Sequence, residues 1–272
     1  MESTVQGNLW LAFLLTAVAG LATAIGSALA YLTKHTSKRL LASALGFSAG
    51  VMIYISFVEL FAEAQRLLVE SYGKVAGNSV AAASFFGGMA IIAVIDFLVP
   101  SYENPHEGAL VEEMRAADEQ HRLKRLGLMT ALAIGIHNFP EGIATFFAGL
   151  ANPTIGIPVA AAVALHNIPE GISISIPVFF ATGNRNKAFW YSALSGASEP
   201  VGALVGYLAL RPFLSDHLMA IIFAGVAGIM VFISVDQLIP HAKKYDEGHD
   251  SVYGLIGGMV VMAVTLVLLQ AG

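Results

Sequence analysis

Apolar residues fill this chain in long blocks, and the polar residues between the blocks are mostly short runs. Stretches apolar enough to cross ~30 Å of hydrocarbon, which takes about 20 residues as helix, cover 9–32, 40–64, 79–99, 126–150, 155–181, 188–210, 218–240 and 252–271. Helix is the form that satisfies every backbone polar group within one such segment. The pattern therefore predicts an all-α, polytopic membrane protein with eight transmembrane helices. Connections are short except for 100–125, so the chain is read as one transmembrane domain over 1–272 with a single long loop.

Composition agrees with that pattern and narrows the chemistry. Of 272 residues, 56% are hydrophobic and 12% charged, whereas soluble chains carry roughly a quarter charged residues. Cysteine is absent, which removes disulfides, thiolate metal ligands and a catalytic cysteine together. Any bound metal must then be held by nitrogen and oxygen. A net charge of −5 with no basic cluster argues against nucleic acid as a partner.

The first apolar block follows Glu2 with no lysine or arginine before it and is far longer than a signal-peptide core. It is read as a retained helix, although Ala28-Leu29-Ala30 resembles a cleavage site. Basic residues alternate by side. Lys34, Lys38, Arg39, the Arg115 to Arg125 cluster, Arg185, Lys187, Lys243 and Lys244 fall on one side, against Arg66, Lys74 and Arg211 on the other. Excess lysine and arginine marks the cytoplasmic side, which puts both termini outside the cytoplasm and the 100–125 loop within it.

Internal repeats add a second level of organisation. AGVMIYIS (Ala49 to Ser56) resembles AGIMVFIS (Ala227 to Ser234), and GGMAIIAV (Gly87 to Val94) resembles GGMVVMAV (Gly257 to Val264). These matches pair span 2 with span 7 and span 3 with span 8, five crossings apart, so each pair runs in opposite directions. Spans 1–3 and 6–8 are thus an inverted repeat around spans 4 and 5, a plan known in secondary transporters.

Spans 4 and 5 carry the chemistry, as HNFPEG (His137 to Gly142) and HNIPEG (His166 to Gly171). Pro140 and Pro169 lack an N–H and disfavour the normal helical bonds to Ile136 and Leu165, freeing two carbonyls near the bilayer centre. Within each motif, histidine and glutamate stand four residues apart on one helix face, with Asn138 and Asn167 at its edge. Span 6 adds Glu199 beside Pro200. A charge at a helix centre costs ~2.5 to 3.5 kcal/mol, so three carboxylates need an offset.

Protonated glutamates hydrogen-bonded to histidine and asparagine would offset it, and so would a proton relay, although a relay leaves the paired asparagines unexplained. A divalent metal uses all seven groups, because imidazole, carboxylate and amide carbonyl suit borderline cations such as Zn²⁺, Fe²⁺ and Mn²⁺. Two ions sharing Glu141 and Glu170 would set four positive charges against three negative ones. An intramembrane two-metal hydrolase is the rival from another class, but the HExxH spacing is absent and an inverted repeat has no evident use in it.

At these residues the sequence resembles the Zrt/Irt-like (ZIP) family of divalent-metal transporters, in its bacterial ZupT-type branch, over essentially the whole chain. HNFPEG, HNIPEG, the span-6 glutamate and SVDQLIPHA at the end of span 7 carry the resemblance. It implies uptake of Zn²⁺, with Fe²⁺, Mn²⁺ and related ions, across a bacterial inner membrane, with no catalytic cofactor and no enzymatic activity. It also implies a binuclear centre: His137, Glu141, His166 and Glu170 for one metal, and Asn138, Asn167 and Glu199 with the shared Glu141 and Glu170 for the other. Spans 1, 4, 5 and 6 would move against spans 2, 3, 7 and 8, which would form a homodimer contact in the lipid bilayer.

The histidine-rich loop of many relatives is missing here, where 100–125 offers only His106 and His121. Glu59 is a candidate for the ion's entrance path, and Asp236 with His241 for its exit, with helix capping or packing as the plainer alternative. Asp96 is read as a helix-end residue without a ligand role. Phe146, Phe147, Phe179 and Phe180 are read as packing or lipid contacts.

Overall fold

A computed structural model describes residues 8–30, 38–98 and 120–270. Among the described residues there is no strand, and eight helical segments follow one another. They are α1 (Leu9–Ala30), α2 (Lys38–Tyr72), α3 (Lys74–Leu98), α4 (Gln120–Ala151), α5 (Pro153–Thr182), α6 (Arg185–Gly196 continued as Ser198–Leu210), α7 (Asp216–Lys244) and α8 (Asp250–Gln270). All but α4 are long and apolar enough to cross a membrane by length and composition; α4 spans the fourth predicted block. Lys34, His106 and Arg115 lie outside the described residues, as do the side chains of His121, Arg122, Lys124, Arg125 and Phe180.

The helix ends follow local rules. Asn152 caps α5 by accepting from Thr154 N–H, with Pro153 at the first helical position, and α5 closes on Gly183 at φ 62°. Asn184 and Ser215 cap α6 and α7 in the same way. Helix α2 runs two turns beyond the predicted apolar block, because Glu63 and Glu70 pair with Arg66 along its amphipathic continuation. Gly73, at φ 80°, stops it.

Two four-helix bundles result. Helices α1, α4, α5 and α6 pack on one another, as do α2, α3, α7 and α8, and the bundles meet along α2–α5 and α4–α7. These pairings are symmetric under exchange of α1 with α6, α2 with α7, α3 with α8 and α4 with α5, as an inverted repeat requires. The register of the crossings is symmetric too. A Cβ on Gly50 would overlap the Leu255 carbonyl and one on Gly228 the Phe85 carbonyl, both at matching repeat positions.

The matching extends to an irregularity that hydropathy does not register. Helices α2 and α7 each widen into a π turn, Ser56–Phe61 and Ser234–Leu238. Each turn starts at a buried serine whose hydroxyl donates to the carbonyl four residues back, Met52 at 2.7 Å and Met230 at 2.8 Å. Such π segments gather at functional sites, and these two carry Glu59 and Gln237 at equivalent positions.

The α7–α8 connection is tied by Asp246. Its carboxylate accepts from the Ser251 hydroxyl, from Lys243 Nζ at 3.0 Å, and from the backbone N–H groups of Gly248 at 3.1 Å and Asp250 at 3.0 Å. The Ser251 bond first, then Lys243 and the two amides, hold this carboxyl below its ordinary value of 3.8. A carboxylate depressed in the folded state contributes stability that is complete above its ordinary value and is lost as pH falls through the lowered one. Asp246→Asn is therefore expected to melt at a lower temperature than the parent at neutral pH, with the gap narrowing only in acid below 3.8. Thermal melts of the detergent-solubilised chain across that pH range check it; a gap that closes on raising the pH instead would contradict it.

Candidate metal centre

Both HNxPEG motifs sit at mid-helix, and α4 and α5 remain helical through Pro140 and Pro169. The polar side chains point into the bundle. His137, Asn138, Glu141, His166, Asn167 and Glu199 are each at most 2% exposed, and Glu170 keeps 12% of its side chain accessible. Glycines after each motif allow this depth. Gly142 lies directly against the Glu199 carbonyl of α6 and Gly171 against the Thr23 carbonyl of α1, where any Cβ would overlap.

His166 is the hub. Its Nε2 lies 2.8 Å from Glu170 Oε1 and 3.8 Å from Glu141 Oε1, while its Nδ1 is 2.9 Å from the Ser48 hydroxyl of α2. Asn167 donates to the Ala19 carbonyl of α1 at 2.8 Å and also to Glu199 Oε1. Asn138 donates to the Ser195 carbonyl of α6 at 3.5 Å. Thus Glu141, His166, Asn167, Glu170 and Glu199 come together at the crossing of α4, α5 and α6.

His137 faces the other bundle. Its Nε2 is 3.8 Å from Asp96 Oδ1 of α3 and 3.5 Å from Gln237 Nε2 of α7. His241 Nδ1 is 2.5 Å from the Gln237 carbonyl one turn on. Asp236 is exposed at the same end, and Glu59 is half-buried in the π turn of α2. As the side chains stand, no three His, Asp or Glu groups among the described residues are placed to share one ion.

Several ligand-type atoms in this crossing are buried and make no hydrogen bond: both Glu141 oxygens, Asn167 Oδ1 and Glu199 Oε2. Buried polar atoms are almost always paired, and leaving one unpaired costs about 1–3 kcal/mol, more for a charged group. All four are lone-pair atoms of the kinds that ligate borderline divalent cations.

Of three neighbours of the centre, Ser48 and Gln237 escape the sequence reading, and the third, Asp96, is named there only as a helix-end residue. Ser48, Asp96 and Gln237 all come from the bundle that carries no HNxPEG motif. A serine or a glutamine in an apolar block has many ordinary roles; Asp96 is read from the sequence as a helix-end residue without a ligand role, and what the structure adds is its 3.8 Å approach to His137. Only Gln237 had a usable signal, its repeat register with Glu59. Of the four phenylalanines read as packing or lipid contacts, Phe146 and Phe147 are fully buried and pack: Phe146 meets Phe13 and Tyr207 with ring centroids 4.7 and 5.5 Å away, and Phe147 is in edge contact with Phe146.

An inverted-repeat helical bundle with a buried imidazole–amide–carboxylate cluster on its pseudo-two-fold is the architecture of membrane transporters with a midplane substrate site. Comparison with known proteins specifies it further: residues 100–266 match the family model described as ZIP zinc transporter. The chain is 59% identical over 268 residues to a protein of Lysinibacillus sphaericus named zinc transporter ZupT, covering 97% of this chain and 99% of that one. It is 58% identical over 272 residues to the protein of that name from Nitratidesulfovibrio vulgaris, covering 97% and 98%. The chain belongs to the ZIP zinc transporter family.

Proposed function

We propose that the chain takes up divalent metal cations, Zn²⁺ with Fe²⁺, Mn²⁺ and related ions, into the cytoplasm through a binuclear site at mid-membrane. The observation that carries this reading is the set of four buried oxygens without a hydrogen bond at the α4–α5–α6 crossing, gathered round the His166–Glu170 pair. One ion is held by His137, Glu141, His166 and Glu170, the other by Asn138, Asn167 and Glu199, with Glu141 and Glu170 shared. The first position requires His137 to turn from Asp96 toward Glu141. With Ser48 accepting from Nδ1–H, His166 presents its Nε2 lone pair to the metal, the usual outer-shell device for a histidine ligand.

Movement of α1, α4, α5 and α6 against α2, α3, α7 and α8 would expose the site alternately to each side. The contacts of His166 with Ser48, and of His137 with Asp96 and Gln237, cross the seam between the bundles; they break and reform with each transit. Glu59 serves the outer path, Asp236 and His241 the inner one, and the second bundle forms the homodimer contact in the bacterial inner membrane. Both termini lie outside the cytoplasm.

Purified full-length protein in liposomes tests this against a two-metal hydrolase. Zinc flux without cleavage of peptide or lipid substrates is expected; cleavage without flux would overturn the proposal. In the same assay Asn138→Ala is expected to change the iron-to-zinc uptake ratio several-fold while zinc binding changes less, since it removes an oxygen donor from the position that lacks histidine.

A further inference from the structure

The symmetry of the crossings assigns a partner to every residue of the centre, and one pair is chemically unequal. Gly20 of α1 and Gly196 of α6 face each other, each lying where a Cβ would overlap the other's carbonyl. Counting one residue back, Ala19 and Ser195 supply the carbonyls that accept from Asn167 and Asn138. Counting three residues on, Thr23 and Glu199 fall at equivalent positions. Their carbonyls abut Gly171 and Gly142, the closing residues of the two motifs. Their side chains also start from equivalent places: a Cβ on Gly196 would be 2.9 Å from Thr23 Cβ, and one on Gly20 would be 3.5 Å from Glu199 Cβ.

Thr23 is fully buried, and its hydroxyl has no hydrogen-bond partner. That is unusual for a threonine inside a helix, which ordinarily donates to the carbonyl four residues back. Thr16 in the same helix does so, to Ala12 at 2.9 Å. For Thr23 that carbonyl is Ala19, which already accepts from Asn167. By that two-fold Thr23 holds the position on α1 that Glu199 holds on α6, and its Oγ1 lies 2.8 Å from where a Cβ on Gly196 would stand.

We infer that Thr23 is the neutral counterpart of Glu199, and that its hydroxyl positions a water ligand of the ion held by Asn138, Asn167 and Glu199. The inference rests on the two-position reading above. A threonine is shorter than a glutamate, so it reaches the ion through water rather than directly. Its neutrality leaves the centre with three carboxylates instead of the four that strict symmetry would give. The oxygen-lined position it serves suits oxygen-preferring ions such as Mn²⁺, whereas the histidine-lined position suits Zn²⁺.

Equilibrium binding of Mn²⁺ and of Zn²⁺ to the detergent-solubilised full chain tests this. Thr23→Val keeps the shape and removes the hydroxyl. It is expected to weaken Mn²⁺ binding about tenfold, the scale of outer-shell losses, and to leave the tighter Zn²⁺ event unchanged; Thr23→Ser should bind both ions as the parent does. Mn²⁺ binding by Thr23→Val equal to that of the parent would overturn the inference. So would equal weakening of both ions, or a loss in Thr23→Ser as large as in Thr23→Val, because either would assign the effect to packing. A parent chain that binds a single ion overturns the two-position reading itself, and Thr23's role with it.

Discussion

Glu141→Ala and Glu170→Ala are each expected to reduce zinc uptake into liposomes by about 100-fold or more while the protein still inserts and purifies as the parent does. Outer-shell changes at metal sites already cost about 10–100-fold, and these two carboxylates are assigned as direct ligands to both ions. Both Glu141 oxygens are buried without a hydrogen bond. Deleting that side chain therefore removes a buried polar group that accepts no hydrogen bond and has only His166 Nε2, 3.8 Å away, beside it, and the fold should tolerate its loss. Glu170 lies 2.8 Å from His166 Nε2, so its loss also frees that imidazole. Labelled-zinc uptake, with chromatographic homogeneity as the folding control, checks both variants; near-parental flux in either one would remove the shared-ligand assignment.

The second large effect concerns structure. Gly171→Ala and Gly142→Ala place a methyl on the Thr23 and Glu199 carbonyls, respectively. Backbone cannot yield as a side chain can, so α5 must move off α1, or α4 off α6. Overpacking in well-filled cores costs about 1–3 kcal/mol, and a contact with rigid backbone belongs at the upper end of that range. Each variant is expected to lower the melting temperature of the solubilised protein by several degrees and to impair uptake, by similar amounts because the positions are symmetry-related. Gly87→Ala is the control, since nothing lies within 4 Å of a Cβ there, and it should melt with the parent. Parental stability of Gly171→Ala would mean that α1 and α5 do not approach as closely as described.

These glycines also show where sequence reading stops. The eight apolar blocks reappear as α1 to α8 because a membrane-spanning helix needs a long apolar run, and that requirement is written locally. The repeats on α2/α7 and α3/α8 could be read because similar packing left similar residues. Helices α1 and α6 obey the same two-fold with almost no shared sequence. Their equivalence rests on which backbone meets which glycine, a property of the crossing and not of either segment.

The π turns share that cause. A widened turn is set by a serine bonding back to its own helix and by what packs beside it, so Ser56 and Ser234 look unremarkable in the chain. In the site, the HNxPEG residues and Glu199 stood out because ionisable groups are costly in an apolar block. Ser48 and Gln237 carry no charge and Asp96 lies near a helix end, so the same argument passed over them. They became visible only when the second bundle was placed against the first.

The claim that joins fold to function is that divalent ions bind between α4, α5 and α6 at the two HNxPEG motifs. Anomalous diffraction at the zinc edge, from crystals of the full chain grown with Zn²⁺, tests it most directly. Zinc peaks are expected at two neighbouring positions: one among His137, Glu141, His166 and Glu170, the other beside Asn138, Asn167 and Glu199. Zinc bound only at the surface, with no peak at this crossing, would contradict the account.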